Sequence, residues 1–221
     1  AANLANVSYE KALELRSNGD ADILKLRKLS KIPNFGLPGG LSANGLTNFA
    51  KGYGMTLDLQ EAEQLKKAWF ERWPEMRRYF DQVRKDVNKG FTIQHTSKRK
   101  RGAVGFTDGA NTYFQGLVAD GAKKALYDVV KACFMNSNSV LYGSRPVLFI
   151  HDEIIIETPL EQAPKAGDEL ARLMIKAMKK YIPDLPVLVD AWASMKWTKG
   201  LETVRGPNGD LTIYRVGLNE P

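Results

Sequence analysis

The chain has 221 residues, a formal charge of +7, and 43% hydrophobic, 26% charged and 10% aromatic residues, enough for one or two compact units with real cores. Its single cysteine, Cys133, rules out an internal disulfide and fits a reducing, cytoplasmic setting, and one cysteine with two histidines argues against structural zinc. No apolar run approaches the roughly 20 residues that span a bilayer, and the start AANLANVSYEKALEL lacks the pattern of a secretory signal. No membrane association or secretion is expected, while the positive charge leaves a polyanionic partner open.

Residues 1–16 and 21–35 are predicted helices separated by the turn Ser17-Asn18-Gly19-Asp20. Pro33 interrupts the second, so Arg27, Lys31 and Phe35 stand either on a kinked helix or on a new one capped by Ser30. Gly36-Leu37-Pro38-Gly39-Gly40 ends it, and with no Gly-Lys-Ser/Thr following it is not a P-loop. Ser42–Tyr53 is a short helix. Asp58 and Glu61 form a capping pair for a helix bearing Leu65, Trp69, Trp73, Met76, Phe80 and Val83, interrupted at Pro74, whose aromatic residues read as core. Lys98-Arg99-Lys100-Arg101 is a run of four cations between turn-like stretches. A solvated loop is the default reading, and contact with a nucleic acid backbone competes with it.

A 3.6-residue period through Phe114, Leu117, Val118, Gly121, Ala125, Val129 and Cys133 marks a helix over Asn111–Phe134. Val147–Ile150 and Ile154–Ile156 are β-branched apolar runs flanking His151-Asp152-Glu153, the pattern of a buried hairpin with a polar tip. Leu170–Tyr181 is an amphipathic helix, Val187–Trp192 a strand, and Gly206-Pro207-Asn208-Gly209 the turn of a last hairpin. Helices fill the first half, and strands mix with helices in the second. The expectation is an α+β chain of two sub-regions, 1–105 and 106–221.

On a helix, Arg27, Lys31 and Phe35 share one face. Two cations followed by a ring complement a nucleoside triphosphate: Arg grips phosphate oxygens in a fork, and Lys adds a charge that can also donate a proton. By itself the triplet reads as an amphipathic helix with a basic stripe. The second motif shifts that balance, because a carboxylate fixed at a hairpin tip suits Mg²⁺, which takes one or two carboxylates plus substrate phosphates. His151 reads equally as a sugar or phosphate ligand and as a packing residue. Asn111 and Gln115, one turn apart, carry amide donors suited to the purine N3 and pyrimidine O2 acceptors that every base pair shows in the minor groove.

Taken in order and spacing, RKLSKIPNFG resembles the fingers-helix motif of family A (DNA polymerase I-like) DNA polymerases. IHDEIIIE resembles their palm motif with a catalytic aspartate, NTYFQGLVADGAKKAL their helix beside the primer–template, and WFERWPEM the region between. The resemblance runs from about Ala1 to Trp197, and NFGLPGG most resembles phage-encoded members. It implies a portion of a right-hand polymerase, helical fingers followed by the later part of an antiparallel palm sheet. It further implies that Arg27 and Lys31 contact the triphosphate, Lys31 also protonating the departing pyrophosphate, and that Phe35 stacks near the incoming sugar and base. Asn111 and Gln115 would face the primer–template, His151 the primer terminus and Asp152 a metal, with Glu153 close by as a further catalytic carboxylate. Beside these motifs, Lys98, Arg99, Lys100 and Arg101 become candidate DNA contacts.

Two departures stand out. Gly39 replaces a tyrosine that stacks on the template in many relatives, and Thr107 replaces a frequent arginine. The family's other catalytic aspartate lies on a palm strand upstream of the fingers. The resemblance therefore implies the C-terminal catalytic part of a DNA-directed DNA polymerase, acting in the cytoplasm of a cell or a phage host. It would use dNTPs, primer–template DNA and a pair of Mg²⁺ ions, and would be inactive alone. An upstream polypeptide carrying the thumb and first palm motif would complete it. Two rivals remain, a single-subunit RNA polymerase and a non-catalytic nucleic-acid-binding descendant in which Asp152 is dispensable.

Overall fold

A computed structural model describes residues 1–198 and 200–214, and the architecture is α+β. The chain forms two compact units, Ala1–Phe114 and Gln115–Pro221.

The first unit contains α1 (Ala2–Ala5), α2 (Tyr9–Ser17), α3 (Ala21–Gly36), α4 (Ala43–Lys51), α5 (Leu59–Arg72) and α6 (Glu75–Asn88), then β1 (Phe91–Ile93), β2 (Lys100–Gly102) and the opening of α7 (Phe106–Phe134). Short polar side chains start these helices by accepting otherwise orphaned N–H groups. Ser8 accepts from Lys11, Asp20 from Ile23 and Ser42 from Gly45, and Asp58 with Glu61 makes the expected capping box. Of the two alternatives at Pro33, the new helix is not formed: α3 runs through the proline as one element. Ser30 is not a cap, because its hydroxyl donates back to the Arg27 carbonyl at 2.9 Å. Pro74 separates α5 from α6, since it lacks the N–H an interior position would need. The core gathers Ile32, Leu37, Leu46, Ala50, Trp69, Phe80 and Val83, with Trp69–Phe70 and Phe70–Phe80 ring pairs edge to face. The aromatic stripe of α5 and α6 is largely core, as expected, although Trp73 is 40% exposed.

The loop expected at Lys98–Arg101 is corrected: Lys100 and Arg101 belong to β2, which pairs antiparallel with β1, Thr92 opposite Arg101. The inward alternation of this hairpin is carried by polar residues, Thr92 and Gln94, both buried.

In the second unit the remainder of α7 is followed by β3 (Arg145–Ile150), β4 (Glu153–Glu157), a 3₁₀ turn at Leu160–Gln162, α8 (Ala163–Lys179), β5 (Ala193–Ser194) and β6 (Ile213–Tyr214). Its core holds Ala125, Val129, Cys133, Leu141, Ile154, Ala166 and Ala177. α8 begins seven residues before the expected start, since Pro164 is tolerated in a first helical turn. Three further corrections apply. Val187–Trp192 is not a strand, because it finds no ladder partner among the described residues, and pairing begins only at β5, parallel to β6. The Gly206–Gly209 turn closes a single antiparallel bridge, Arg205 to Leu211, and not a hairpin of named strands. The β3–β4 hairpin is present, but it is not buried. Val147 is 50% and Leu148 41% exposed, and Val147 is unpaired in a bulge between Pro146–Ile156 and Leu148–Ile155. Two strands alone leave both edges open.

Candidate active site

α3 turns Ile23, Ile32, Pro33 and Gly36 inward. On the same helix Arg27 and Phe35 are exposed and Lys31 is half-buried. The i, i+4, i+8 spacing is thus realised on one continuous helix. Phe35 is 61% exposed, so core packing does not explain the ring. Neither Arg27 nor Lys31 is ion-paired among the described residues. The C-terminal turn of α3 is anchored from α5, where Trp69 Nε1 donates to Asn34 Oδ1 at 3.1 Å.

The opening of α7 carries Asn111, half-buried, and Gln115, exposed, one turn apart. Asn111 lies against Gly39, where an added Cβ would stand 3.0 Å from both its Nδ2 and Oδ1. The residue without a side chain and the candidate minor-groove amide therefore share one space. Tyr79 OH donates to the Ala110 carbonyl at 2.6 Å, and Tyr113 OH to Asp86 Oδ2 at 2.8 Å. Burial, then the hydrogen bond and negative charge of Asp86, push the Tyr113 phenol up to about 12. Burial pushes Tyr79 up as well. Partial burial raises Asp86, but hydrogen bonds from Gln82, Tyr113 and Lys89 outweigh it and hold the carboxyl below its ordinary range.

On the basic hairpin, Lys98 adopts a left-handed φ of 58°. Lys100 Nζ sits 3.8 Å from the centre of the Phe91 ring. Arg101 turns to α7, donating to Thr112 Oγ1 at 3.0 Å and lying 3.5 Å from Asp108 Oδ1.

In the second unit, Ile150 pairs with Glu153, so His151 and Asp152 form a two-residue turn. His151 has φ 53°, a conformation that favours glycine. A two-residue hairpin turn calls for such a residue, and Asn6, Lys98 and Ala103 share the left-handed conformation. Asp152 is exposed and Glu153 half-buried, with Trp197 Nε1 at 3.5 Å from Glu153 Oε1. The two carboxylates border a groove of about 950 Å³ walled by β4, α8 and the stretch from Pro186 to Trp197. Among the described residues, no group of three or more His, Cys, Asp and Glu gathers to hold a metal. Asp152 offers one oxygen ligand, and these residues alone do not make a Mg²⁺ site.

The sequence motifs thus fall into separate sets. Arg27, Lys31, Phe35 and Asn111 belong to the first unit, and Gln115, His151, Asp152 and Glu153 to the second. Tyr79, Gln94, Tyr113 and Trp197 escaped the sequence reading. Only the buried alternation Thr92, Gln94 left a local trace, and a polar one.

Residues 22–199 match the sequence model of DNA polymerase family A. DNA polymerase I of Aquifex aeolicus (strain VF5) is 34% identical over 178 residues, covering 78% of this chain and 30% of that protein. DNA polymerase I of Lactococcus lactis subsp. lactis (strain IL1403) is 29% identical over 184 residues, covering 77% and 20%. That of Caldicellulosiruptor bescii is 25% identical over 208 residues, covering 88% and 23%. The chain therefore spans less than a third of these bacterial relatives. Its fold is similar to the POL domain of Pol1 from M. smegmatis, solved in complex with DNA primer-template and dNTP. The TM-score is 0.60 at 21% identity, over 80% of this chain and 30% of that one.

Proposed function

This chain belongs to DNA polymerase family A, and on that premise we propose that it is the fingers (1–105) and later palm (106–221) of a DNA-directed DNA polymerase. The reaction is transfer of a nucleotidyl group from a dNTP to a primer 3′-OH. One observation carries the reading: α3 displays, on a single face, an exposed ring and two cations with no ion pair among the described residues. A fold needs none of these three there, and a triphosphate ending in a flat base fits all of them.

In this reading Arg27 and Lys31 bind and orient the triphosphate, and Lys31 supplies a proton to the departing pyrophosphate. Phe35 bounds the sugar and base. Asn111 and Gln115 donate to minor-groove acceptors of the primer–template, and His151 lies at the primer terminus. Phosphate contacts fall to Lys98, Arg99 and Lys100, while the Arg101 guanidinium donates to Thr112 Oγ1. Asp152 ligates metal, Glu153 stands beside it, and a second carboxylate from polymerase sequence outside these residues completes a two-Mg²⁺ site. When bound, such a pair clamps the attacking and leaving oxygens. The exposed Val147 and Leu148 support an upstream polypeptide as the missing neighbour of the hairpin. A phage origin rests on the NFGLPGG variant alone.

Primer extension tests this directly. The chain alone is expected to bind primer–template weakly and extend nothing. With a polypeptide carrying the rest of the polymerase it extends, and Asp152→Ala abolishes the extension. Robust synthesis by the chain alone would overturn the shared metal site.

A further inference from the structure

Three side chains from three places converge on one short stretch of α7. The Asp108 carbonyl accepts from Arg101 Nη1 at 3.4 Å and from the Thr112 hydroxyl at 2.7 Å. The Ala110 carbonyl accepts from Tyr79 OH. The Thr112 carbonyl accepts from Gln94 Nε2, and Thr112 Oγ1 accepts from Arg101. These bonds are additional to those of the helix itself. Asn111 lies in the middle of the stretch, with Gly39 against its amide. Gln94 is 1% exposed and Thr112 2%, so neither reaches a nucleic acid. A buried polar network of this kind fixes one geometry when its members are satisfied.

We propose that the β1–β2 hairpin is a positioning device for Asn111. Gln94 and Arg101, through the α7 backbone and Thr112, set the reach of the Asn111 amide and so determine how strictly a primer end is checked. This rests on the minor-groove role assigned to Asn111 above. It makes Arg101 a positioning residue acting within the protein, although it belongs to a run of cations on a basic hairpin. Arg is suited to that task because Nη1 meets the Thr112 hydroxyl and the Asp108 carbonyl while Nη2 faces the Asp108 carboxylate, a spread that a lysine ammonium does not reproduce.

The complete polymerase is the material for the test. Arg101→Lys keeps the charge, and Thr112→Val alters a residue that cannot touch DNA. Each is expected to reduce discrimination against a mismatched primer end about tenfold, the effect of one lost hydrogen bond to a charged group. The salt dependence of duplex binding should not change, and the double variant should add little to either single one. A phosphate role predicts the opposite, and would overturn the proposal: discrimination survives Arg101→Lys, while Arg101→Ala lowers the salt slope by about one. Amide exchange over residues 106–116 in the same proteins gives a readout independent of catalysis. Faster exchange confined to that stretch in both variants supports the clamp, and unchanged exchange removes it. A wild-type enzyme that ignores mismatched primer ends would count against the role of Asn111, while the exchange data would still decide the clamp.

Discussion

α3 and the β3–β4 hairpin both present candidate catalytic residues, but on very different supports. Beneath the exposed face of α3 lie Ile32, Leu37 and Leu46, all essentially inaccessible to solvent. Its start is capped by Asp20 and its end tied to Trp69 through Asn34. The hairpin buries only Ile154 in β4, exposes Val147 and Leu148, and turns on a residue in a left-handed conformation. The difference follows from how each element satisfies its own backbone. A helix closes its hydrogen bonds internally and needs burial along one stripe. A pair of strands leaves two rows of N–H and C=O groups unpaired and becomes rigid only beside a third strand or a helix. A nucleotide-binding face can therefore be complete within one unit, while a strand-borne carboxylate takes its placement from whatever lies next to the sheet.

Packing gives the widest test of that contrast. Leu46→Ala, at a site with no exposure, is expected to cost about 2–5 kcal/mol in chemical denaturation. Leu148→Ala, at 41% exposure, should cost less than about 1 kcal/mol in this chain and more once the sheet is extended by its partner. Equal losses at the two positions would mean that the hairpin is as well supported as the helix.

Lys31→Ala probes the other side of the comparison. In the complete enzyme it should slow nucleotide incorporation by about 10²–10³-fold, the usual effect of removing one donor from developing charge. Duplex affinity should be retained, because α3 is expected to meet the triphosphate and not the DNA. Lost duplex affinity with normal turnover would show that this face has been assigned to the wrong ligand.

Gly39→Ala is a finer probe. The new methyl would stand 3.0 Å from the Asn111 amide, so Asn111 must give way by a few tenths of an ångström. A thermal-melt loss of about 1 kcal/mol is expected, with the displaced amide visible in a Asn side-chain NMR spectrum. An unmoved Asn111 resonance would show that the two residues do not share the space.

A further effect concerns pH. In the folded unit the Tyr113 phenol is held up to about 12, against an ordinary 10. Its contribution is full below pH 10 and is lost as pH rises toward 12, because the unfolded chain releases that proton first. Tyr113→Phe should flatten the alkaline arm of the stability profile, measured as denaturation midpoints across that window. An arm of unchanged slope would assign the loss to other groups.

Legibility in the sequence followed the range of the interactions. Asp20, Ser42 and the Asp58–Glu61 box announce helices through bonds to residues three along, so a local reading finds them. The period of α7 and the apolar runs around His151-Asp152 are likewise local. The β1–β2 hairpin was hidden because its inward positions are Thr92 and Gln94, whose burial depends on neighbours such as Thr112 far along the chain. The stretch Val187–Trp192 misled in the opposite way, having strand-like residues but no ladder partner among those described. At the site, the triplet on α3 was readable from its spacing. The seat of Asn111 on Gly39 was not, since nothing near either residue points to the other.

Cys133, the only thiol of the chain, is 1% exposed, and burial raises its pKa. A thiol that stays protonated and out of solvent reacts poorly with maleimides. This chain is thus already a suitable background for dye attachment, with no cysteine to remove. Glu71 on α5 and Lys176 on α8, both exposed and one in each unit, could be exchanged for cysteines and labelled with a donor–acceptor pair. Energy transfer between them would then report, molecule by molecule, how far apart the two units stand before and after nucleotide is added.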